Sequence, residues 1–456
     1  MALAARSSPG LGRSGRWILL AAVAVLRLGL AGLIADDPEK ALWPDSASYM
    51  IPAEQSAAGA GYTDPQGTAD LYRPPAYPLF LAAHKLLFGE LVVPSVVTQL
   101  LLGVGVAGLL YGVGKRVWGD RIGYTAALLY LLTPNAALWA LAILSDPVYV
   151  LVATATVACL AGYGLTGRAR WAAAAGLLSG LGILVRPIGS VMVALWALFL
   201  LLTAGFRLHS PRRAVVAAGM LLTASAVVVL PWMLRNARDH GLFTVSPIST
   251  WYLGRYVAPA ALAADEDISL EEAREQIPTS RIPQPGERER YLSVILDHPL
   301  GYLEAHARGT WYILSEASQP NLAQLLDEHS GGKGILTALR EEGLAAAWER
   351  ALVVLRDPRM RWTATLPWLF QAFQLVVYAL AARALFTGFG PSPIQRWLGW
   401  LIVVTCAGFL LIPGPVGTGR FRLPAEPLLA MLAAIGVWLP GRVRAAAAEP
   451  AAGEAG

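Results

Sequence analysis

Two acidic residues beside apolar segments are the side chains best suited to chemistry in this sequence. Asp45 comes shortly after the first apolar run, and a helix-like segment containing Tyr49 follows it. Asp146 lies at the end of another apolar run and is followed directly by Pro147. A carboxylate held still beside a bilayer can act as a general base towards a hydroxyl group. We therefore expect Asp45 and Asp146 to be the catalytic acids, supported by Tyr49.

Structural explanations compete with this interpretation at two acids. Asp146 can serve simply as the N-cap of a helix that has Pro147 in its first turn. Asp36 lies close to the end of the first apolar run, where an acid commonly marks only the boundary with water. We keep Asp36 as a supporting residue, because it lies in the same segment as Asp45.

Arginines near the ends of apolar runs form a second group. Arg186, followed by Pro187, interrupts an apolar stretch, where an ionisable side chain is costly and is a functional candidate by default. Arg73 precedes Pro74 and Pro75, which restrict the backbone in front of a short apolar helix. The candidate phosphate-binding arginines are Arg73, Arg186, Arg235, Arg420 and Arg422, and the supporting residue beside the prolines is Tyr77.

A lipid-linked phosphosugar explains the acids and the arginines together. Its phosphate needs cationic partners, which arginine supplies as a fork of N–H donors. Its acceptor hydroxyl needs a base, and the leaving phosphate needs stabilisation of its charge as the bond breaks. Apolar walls between the spans would hold the lipid tail.

Apolar helices must position these residues at the membrane. A bilayer core about 30 Å thick needs roughly 20 apolar residues in helical form. About ten crossings are expected, and the fold class is an all-α polytopic membrane protein. The predicted runs are 17–35, 92–114, 122–144, 147–165, 171–185, 188–206, 214–232, 366–386, 397–412 and 424–440.

The composition supports the membrane assignment. Of the 456 residues, 55% are hydrophobic and only 15% are charged, and the mean hydropathy is +0.51. A soluble domain carries roughly 25% charged residues, so much of this surface must face lipid. The formal charge is +5, but the basic residues are scattered, and we expect no nucleic-acid partner. Zinc and nucleotide motifs are absent from the sequence, and the residues alone leave the cofactor open.

The distribution of Arg and Lys predicts the orientation. Short loops rich in these residues belong in the cytoplasm, and here they include both ends of the chain and every second connection. The expected organisation is a cytoplasmic tail at 1–16, a transmembrane core at 17–232 with an external loop at 36–91, an extracytoplasmic cap at 233–365, C-terminal spans at 366–441 and a second tail at 442–456. The expected location is the cytoplasmic membrane, with the polar cluster facing the exterior or periplasm.

The motifs in their order resemble glycosyltransferase family 39-like proteins of the GT-C superfamily, which includes protein O-mannosyltransferases and the lipid A aminoarabinose transferase. The resemblance extends to about residue 255 and returns over 366–440. It rests on Pro44-Asp45-Ser46-x-x-Tyr49, Arg73-Pro74-Pro75-x-Tyr77-Pro78, Ser145-Asp146-Pro147, Leu184-Val185-Arg186-Pro187, Pro231-Trp232-x-x-Arg235-Asn236 and Arg420-Phe421-Arg422-x-Pro424-x-x-Pro427.

This resemblance implies a GT-C bundle with juxtamembrane helices, which transfers a sugar with inversion from a polyprenyl-phosphate donor. The implied acceptor is a hydroxyl group of a protein, glycolipid or polysaccharide. The resemblance also implies that Asp45 is the base or a metal-associated acid, that Asp146 is the second acid, and that Arg186 and Arg420 neutralise the donor phosphate. Some relatives have an acid directly after the first Asp, where this chain has Ser46.

Two other functions fit parts of the pattern. A transporter or lipid flippase would usually show inverted repeats and polar sites near the bilayer midplane, whereas most polar candidates here lie at one boundary. A polysaccharide ligase or polymerase with a lipid-diphosphate donor would use the same arginines.

Overall fold

The structure, a computed structural model, describes residues 13–202, 208–280, 282–326, 343–356 and 358–439. In these ranges the regular secondary structure is helical, and apart from one isolated bridge between Thr63 and Ala69 they contain no β-structure. The predicted all-α class is confirmed. The tail predicted at 442–456 and most of the tail predicted at 1–16 lie outside the described residues.

The N-terminal half contains eleven of the helices described. A 3₁₀ turn (Pro38–Ala41) follows α2. The helices are α1 (Arg13–Gly29), α2 (Gly32–Ala35), α3 (Ser46–Ala57), α4 (Ala76–Phe88), α5 (Val92–Val117), α6 (Asp120–Leu132), α7 (Pro134–Trp139), α8 (Asp146–Thr166), α9 (Ala169–Val185), α10 (Gly189–Leu202) and α11 (Pro211–His240).

The remaining helices form the region predicted as a cap and the C-terminal spans. A 3₁₀ turn, Gly419–Arg422, lies between the last two helices. The helices are α12 (Ile248–Tyr252), α13 (Ala258–Glu266), α14 (Leu270–Gln276), α15 (Glu287–Asp297), α16 (Pro299–Ser315), α17 (Gln319–Leu325), α18 (Leu344–Arg356), α19 (Pro358–Thr387), α20 (Pro393–Leu411) and α21 (Glu426–Trp438).

Six helical segments in the described ranges are long and apolar enough to cross a membrane, by length and composition. They are Ser14–Ala35, Val92–Val117, Asp146–Thr166, Pro211–His240, Thr365–Thr387 and Pro393–Leu411. Four further apolar helices are shorter, namely α4, α9, α10 and α21. The chain is therefore a multi-pass membrane protein. The helix α11 continues to His240, eight residues beyond the span expected from hydropathy.

The expectation of one continuous span at 122–144 is wrong. Helix α6 ends at Leu132, α7 is short, and residues 140–145 are buried but not helical. Pro134 starts α7 and has no backbone N–H to continue the hydrogen bonds of α6. Irregular backbone at membrane depth is tolerated only where other protein groups satisfy it. This irregular segment leads directly into Asp146.

Glycines allow close contact between the helices that carry the polar residues. A Cβ atom at Gly176 of α9 would lie 2.5 Å from the carbonyl oxygen of Leu221 in α11. A Cβ atom at Gly114 of α5 would lie 2.6 Å from the Cα atom of Gly123 in α6. Neither position has room for a side chain, so the packing distance between these helices depends on glycine.

Candidate active site

Arg420 joins the two acids predicted to be catalytic. Its Nε donates to Asp146 Oδ2 over 2.8 Å, and its Nη1 donates to Asp45 Oδ2 over 2.9 Å. Helices α3 to α7 separate the two acids along the chain, and both acids bind one guanidinium group.

Arg73 binds the other oxygen of Asp45. Its Nη2 donates to Asp45 Oδ1 over 2.8 Å, and its Nη1 donates to the Tyr49 hydroxyl over 3.0 Å. The guanidinium carbon also lies 4.3 Å from the centre of the Tyr49 ring. Nε completes the arrangement with a 2.8 Å hydrogen bond to Ser48 Oγ. Both Arg73 and Tyr49 are thus held beside Asp45.

Arg186 binds the other oxygen of Asp146, donating from Nη1 to Oδ1. The two acids differ in access to solvent: the side chain of Asp146 is 0% exposed, whereas that of Asp45 is 43% exposed. Three guanidinium groups against two carboxylates leave one positive charge in excess. We call these five residues, Asp45, Arg73, Asp146, Arg186 and Arg420, the charged cluster.

Two chain segments run side by side and bring the acids together. The N–H of Ile143 donates to the carbonyl of Ala41 over 2.8 Å. Ser46 Oγ accepts from the N–H of Trp43 and donates to the carbonyl of Ile143, both over 2.9 Å. Because Ser46 is buried and follows Asp45 directly, the residue that departs from some relatives has a structural task here.

Neither carboxylate is used to cap a helix, so both are available to bind arginine. Asp45 precedes α3 and makes no capping hydrogen bond with its side chain. Asp146 is the first residue of α8, whose N-cap position is Ser145. The interpretation of Asp146 as only an N-cap is therefore wrong, since its two oxygens bind arginine.

Turns between helices present the two arginines that bind Asp146. Arg186 follows α9 and leaves the helix for an extended conformation before α10 begins. Arg420 lies in the 3₁₀ turn Gly419–Arg422, where the backbone N–H of Arg420 donates to the side chain of Thr418 over 3.1 Å. Asn135 Nδ2 donates to the carbonyl of Gly419 over 3.0 Å, so the turn is held at Arg420 and at the residue before it.

Two predicted arginines lie outside the charged cluster. Arg422 is 1% exposed and donates to Glu426 over 3.2 Å and to the carbonyls of Ile313, Leu314 and Glu316. It therefore attaches the end of α16 and the residue that follows it to α21.

Arg235 of α11 also has a structural environment. It donates to the carbonyls of Asp70 and Tyr62 over 2.6 and 3.1 Å, and it pairs with Asp239. These contacts fasten the segment between α3 and α4 to α11, and none of them reaches Asp45 or Asp146.

The remaining predicted residues support the cluster from a distance or lie apart from it. Tyr77 is buried, its ring meets the Tyr49 ring edge-on with centres 5.0 Å apart, and its hydroxyl donates to Gln99 over 2.8 Å. Asp36 is exposed at the end of α2, outside the charged cluster.

Sequence reasoning missed Gln99 and Asn135, and it quoted Ser145 in a motif without giving it a role. Ser145 Oγ lies 3.2 Å from the Tyr49 hydroxyl, and the other two side chains hold backbone next to the cluster. All three are buried polar residues. The only signal of Gln99 and Asn135 in the sequence is that each is a polar residue inside an apolar run.

The arginines stabilise the ionised form of Asp45. Burial alone would raise the pKa of its carboxyl, but the charges of Arg73 and Arg420 outweigh burial and lower the pKa. Burial would likewise lower the pKa of Arg420, whereas Asp146 and Asp45 raise it. Both partners are therefore charged in the absence of a ligand.

The cluster does not fit the divalent metal that the sequence left open. All four carboxylate oxygens of Asp45 and Asp146 bind arginine N–H groups. A metal ion there would lie among three guanidinium groups. Across the described ranges, no group of three His, Cys, Asp or Glu side chains is arranged to hold a metal.

Comparison with known proteins identifies a family for part of the chain. Residues 72–234 match the sequence model of the dolichyl-phosphate-mannose-protein mannosyltransferase family. This range includes Arg73, Asp146 and Arg186. A search of curated proteins finds no match to the chain.

Solved structures of two kinds are similar. The apo oligosaccharyltransferase of Archaeoglobus fulgidus is 13% identical, with a TM-score of 0.50 over 93% of this chain and 50% of that one. The oligosaccharyltransferase AglB of the same archaeon, in complex with an inhibitory peptide and a dolichol-phosphate, gives a TM-score of 0.48, at 13% identity over 92% and 50% of the two chains. ArnT of Cupriavidus metallidurans bound to undecaprenyl phosphate gives 0.44, at 15% identity over 93% and 77%.

The likeness to the apo archaeal enzyme shows a shared fold, although the chain spans about half the length of that protein. The fold and the family match agree with each other and with the motifs. The chain is thus a multi-pass membrane protein whose residues 72–234 match the model of the dolichyl-phosphate-mannose-protein mannosyltransferase family.

Proposed function

We propose that this protein transfers a sugar, with inversion, from a polyprenyl-phosphate donor to an acceptor hydroxyl group. The observation that carries the proposal is the charged cluster, in which Arg420 binds both Asp45 and Asp146. An accessible carboxylate lies there beside guanidinium groups that carry an excess of positive charge. The family match over residues 72–234 supports a lipid-phosphate sugar as the donor.

Arg186 and Arg420 are the proposed phosphate ligands. Both are bound to Asp146, which is buried and keeps their guanidinium groups oriented. Their side chains are 17% and 14% exposed, so each remains open on one side. The phosphate gains negative charge when the sugar–phosphate bond breaks, and fixed cations stabilise that charge without having to reorient.

Asp45 is the proposed base because it is the accessible acid. As the acceptor oxygen attacks the anomeric carbon, its proton passes to the Asp45 carboxylate. The bond from that carbon to the phosphate oxygen breaks, and polyprenyl phosphate leaves with the bond electrons. In-line attack from the opposite side inverts the configuration.

Donor binding would also prepare Asp45 for this role. A carboxylate held by Arg73 and Arg420 has a lowered pKa and is a weak base. A donor phosphate competes for the Arg420 guanidinium group, which weakens its hold on Asp45. The carboxylate then becomes more basic when the donor is in place.

The proposed location is the cytoplasmic membrane, with the cluster on the extracytoplasmic side. The basic loops at the opposite ends of the spans support this orientation. The domain organisation proposed from the sequence places α12 to α18 in an extracytoplasmic cap, which lies beside the Arg420 turn and would select the acceptor. The acceptor class, whether protein, glycolipid or polysaccharide, is open to direct test.

A donor-consumption assay tests the proposal. Purified protein in detergent is incubated with an extract of cell-envelope acceptors and, in separate reactions, with polyprenyl-monophosphate or polyprenyl-diphosphate sugars, and the released lipid phosphates are measured by mass spectrometry. We expect release that depends on the protein and on the acceptor. A transporter would leave every donor chemically unchanged, and a ligase would consume only lipid-diphosphate sugars; either result would contradict the proposal.

A further inference from the structure

The broken segment before Asp146 has buried carbonyl groups that need hydrogen-bond donors. Residues Trp139–Ser145 are at most 4% exposed, and residues 140–145 are not helical. A buried carbonyl without a donor costs free energy, and lipid supplies no donor at membrane depth. The donors must therefore come from neighbouring side chains and backbone.

Gln99 of α5 supplies two of these donors. Its Nε2 donates to the carbonyls of Ala140 and Ala142, each over 2.9 Å. Its side chain is completely buried. One amide group thereby fixes the path of the chain over the last residues before Asp146.

The same amide also connects to the Asp45 side of the cluster. Gln99 Oε1 accepts from the Tyr77 hydroxyl over 2.8 Å. The Tyr77 ring packs edge-on against Tyr49, and the Tyr49 hydroxyl accepts from Arg73 over 3.0 Å. Both polar atoms of the Gln99 side chain therefore have partners: Nε2 binds the segment before Asp146, and Oε1 binds Tyr77.

We propose that Gln99 is a positioning residue for the charged cluster. It holds Asp146 through the backbone of residues 140–145 and Arg73 through Tyr77 and Tyr49, and so fixes the distance between them. Gln99 contacts neither acid and is not a catalytic residue. Its effect on donor binding rests on the proposed function, because that function makes Asp146 the group that orients Arg186 and Arg420. Its effect on the backbone does not.

Hydrogen–deuterium exchange of the ligand-free protein tests the backbone role. Gln99→Met keeps the length of the side chain and removes both N–H donors. We expect exchange of the amides of residues 141–146 to become about tenfold faster, as for the loss of a buried hydrogen bond. Gln374→Met is the matched control, since Gln374 is also a buried glutamine in a spanning helix, and it should leave exchange in 141–146 unchanged.

Tyr77→Phe provides a milder second variant. It removes the partner of Gln99 Oε1 while keeping the ring that packs on Tyr49, and we expect a smaller increase in exchange over the same residues. Unchanged exchange of residues 141–146 in both variants would overturn the proposal. If Gln99→Met does not fold, wild-type exchange of these residues in Tyr77→Phe would by itself overturn it.

Affinity for undecaprenyl phosphate tests the effect on the cluster. In detergent, we expect Gln99→Met to bind this lipid about tenfold more weakly than wild type and Gln374→Met to bind it normally. Faster exchange with unchanged affinity would show that Gln99 supports only the backbone, which refutes the positioning role. A wild-type protein that does not bind the lipid would contradict the proposed function instead, and the exchange result would then decide the role of Gln99 alone.

Discussion

Asp45 and Asp146 bind the same guanidinium group, and only Asp45 is accessible to solvent. The Arg420 fork spans the two carboxylates with hydrogen bonds of 2.9 and 2.8 Å. Asp146 is enclosed and pairs with a second arginine, Arg186, whereas Asp45 keeps a partly exposed side chain. This asymmetry is the basis of the proposed division of tasks, in which Asp45 meets the acceptor and Asp146 orients the guanidinium groups of Arg186 and Arg420.

Replacing Asp45 by Asn should abolish transfer while the protein still folds. An amide has nearly the same shape but cannot accept the acceptor proton, and loss of a general base typically costs at least about 100-fold in rate. The measurement is the rate of polyprenyl-phosphate release, with the melting temperature as a check of folding. Glu54→Gln is the matched control, because Glu54 is exposed on α3, the helix that Asp45 precedes. Near-normal turnover in Asp45→Asn would remove Asp45 from the chemistry.

Replacing Arg186 by Ala should weaken donor binding. The variant loses a charge-assisted contact to phosphate, and we expect affinity for undecaprenyl phosphate to fall by about 10- to 100-fold. Titration of the purified protein with the lipid measures this. The control is Arg238→Ala, an arginine whose side chain is 79% exposed. Unchanged lipid affinity in Arg186→Ala would be incompatible with a phosphate role.

Removing the charge of Arg73 should change the pH dependence of transfer. Arg73 and Arg420 lower the pKa of Asp45 against the effect of burial, so Arg73→Gln should raise that pKa. The acid limb of the pH–rate profile then moves to higher pH, because Asp45 must be ionised to act as base. A limb that stays in place or moves down would show that another group controls it.

The same pairing has a consequence for stability. A carboxyl group whose pKa is lowered by folding stabilises the protein fully above its ordinary pKa of 3.8, and this contribution is lost as the pH falls through the lower, folded-state value. Wild-type protein should therefore lose more stability than Asp45→Asn when melting temperatures are followed down to about pH 3.

Replacing Arg422 by Met should affect stability rather than donor binding. The variant leaves Glu426 buried without its cation, and breaking a buried ion pair costs about 3–5 kcal/mol. The melting temperature should fall, and the double variant Arg422→Met/Glu426→Gln should recover part of it. Undecaprenyl-phosphate affinity of the folded protein should stay within about threefold of wild type. A much larger loss of affinity at normal stability would return Arg422 to the phosphate site.

Chelation of metals should leave transfer unchanged. The oxygens that a divalent ion would need are bound to Arg73, Arg186 and Arg420. We expect equal rates of donor consumption with EDTA and with added Mg²⁺ or Mn²⁺. A rate that falls with EDTA and returns on addition of metal would contradict this assignment.

Much of the fold was predictable from the sequence, because hydrophobic length and loop charge act locally. A run of about 20 apolar residues is sufficient to define a span, so the helical membrane class and most segments follow directly. The exception, 122–144, shows the limit of hydropathy. A buried broken segment is as apolar as a spanning helix, and only the protein around it shows that its carbonyls have other partners.

The members of the site were partly predictable from their positions. Asp45, Asp146, Arg73, Arg186 and Arg420 stand at the ends of apolar runs, where ionisable side chains are costly and need partners. Arg235 and Arg422 obey the same rule, but the structure gives them carbonyl groups and other acids instead. Sequence position shows that a charge needs compensation and does not show which group provides it.

The sequence by itself determined which side chains are charged, that they stand at the ends of apolar runs, and which helices separate them. Only the tertiary structure decided that Arg420 binds two acids, that Asp146 is enclosed while Asp45 is open, and that Gln99 supports the chain between them. The physical reason is that these contacts join residues far apart in the chain. Their geometry depends on how helices pack and on a helix break whose backbone is satisfied by distant side chains.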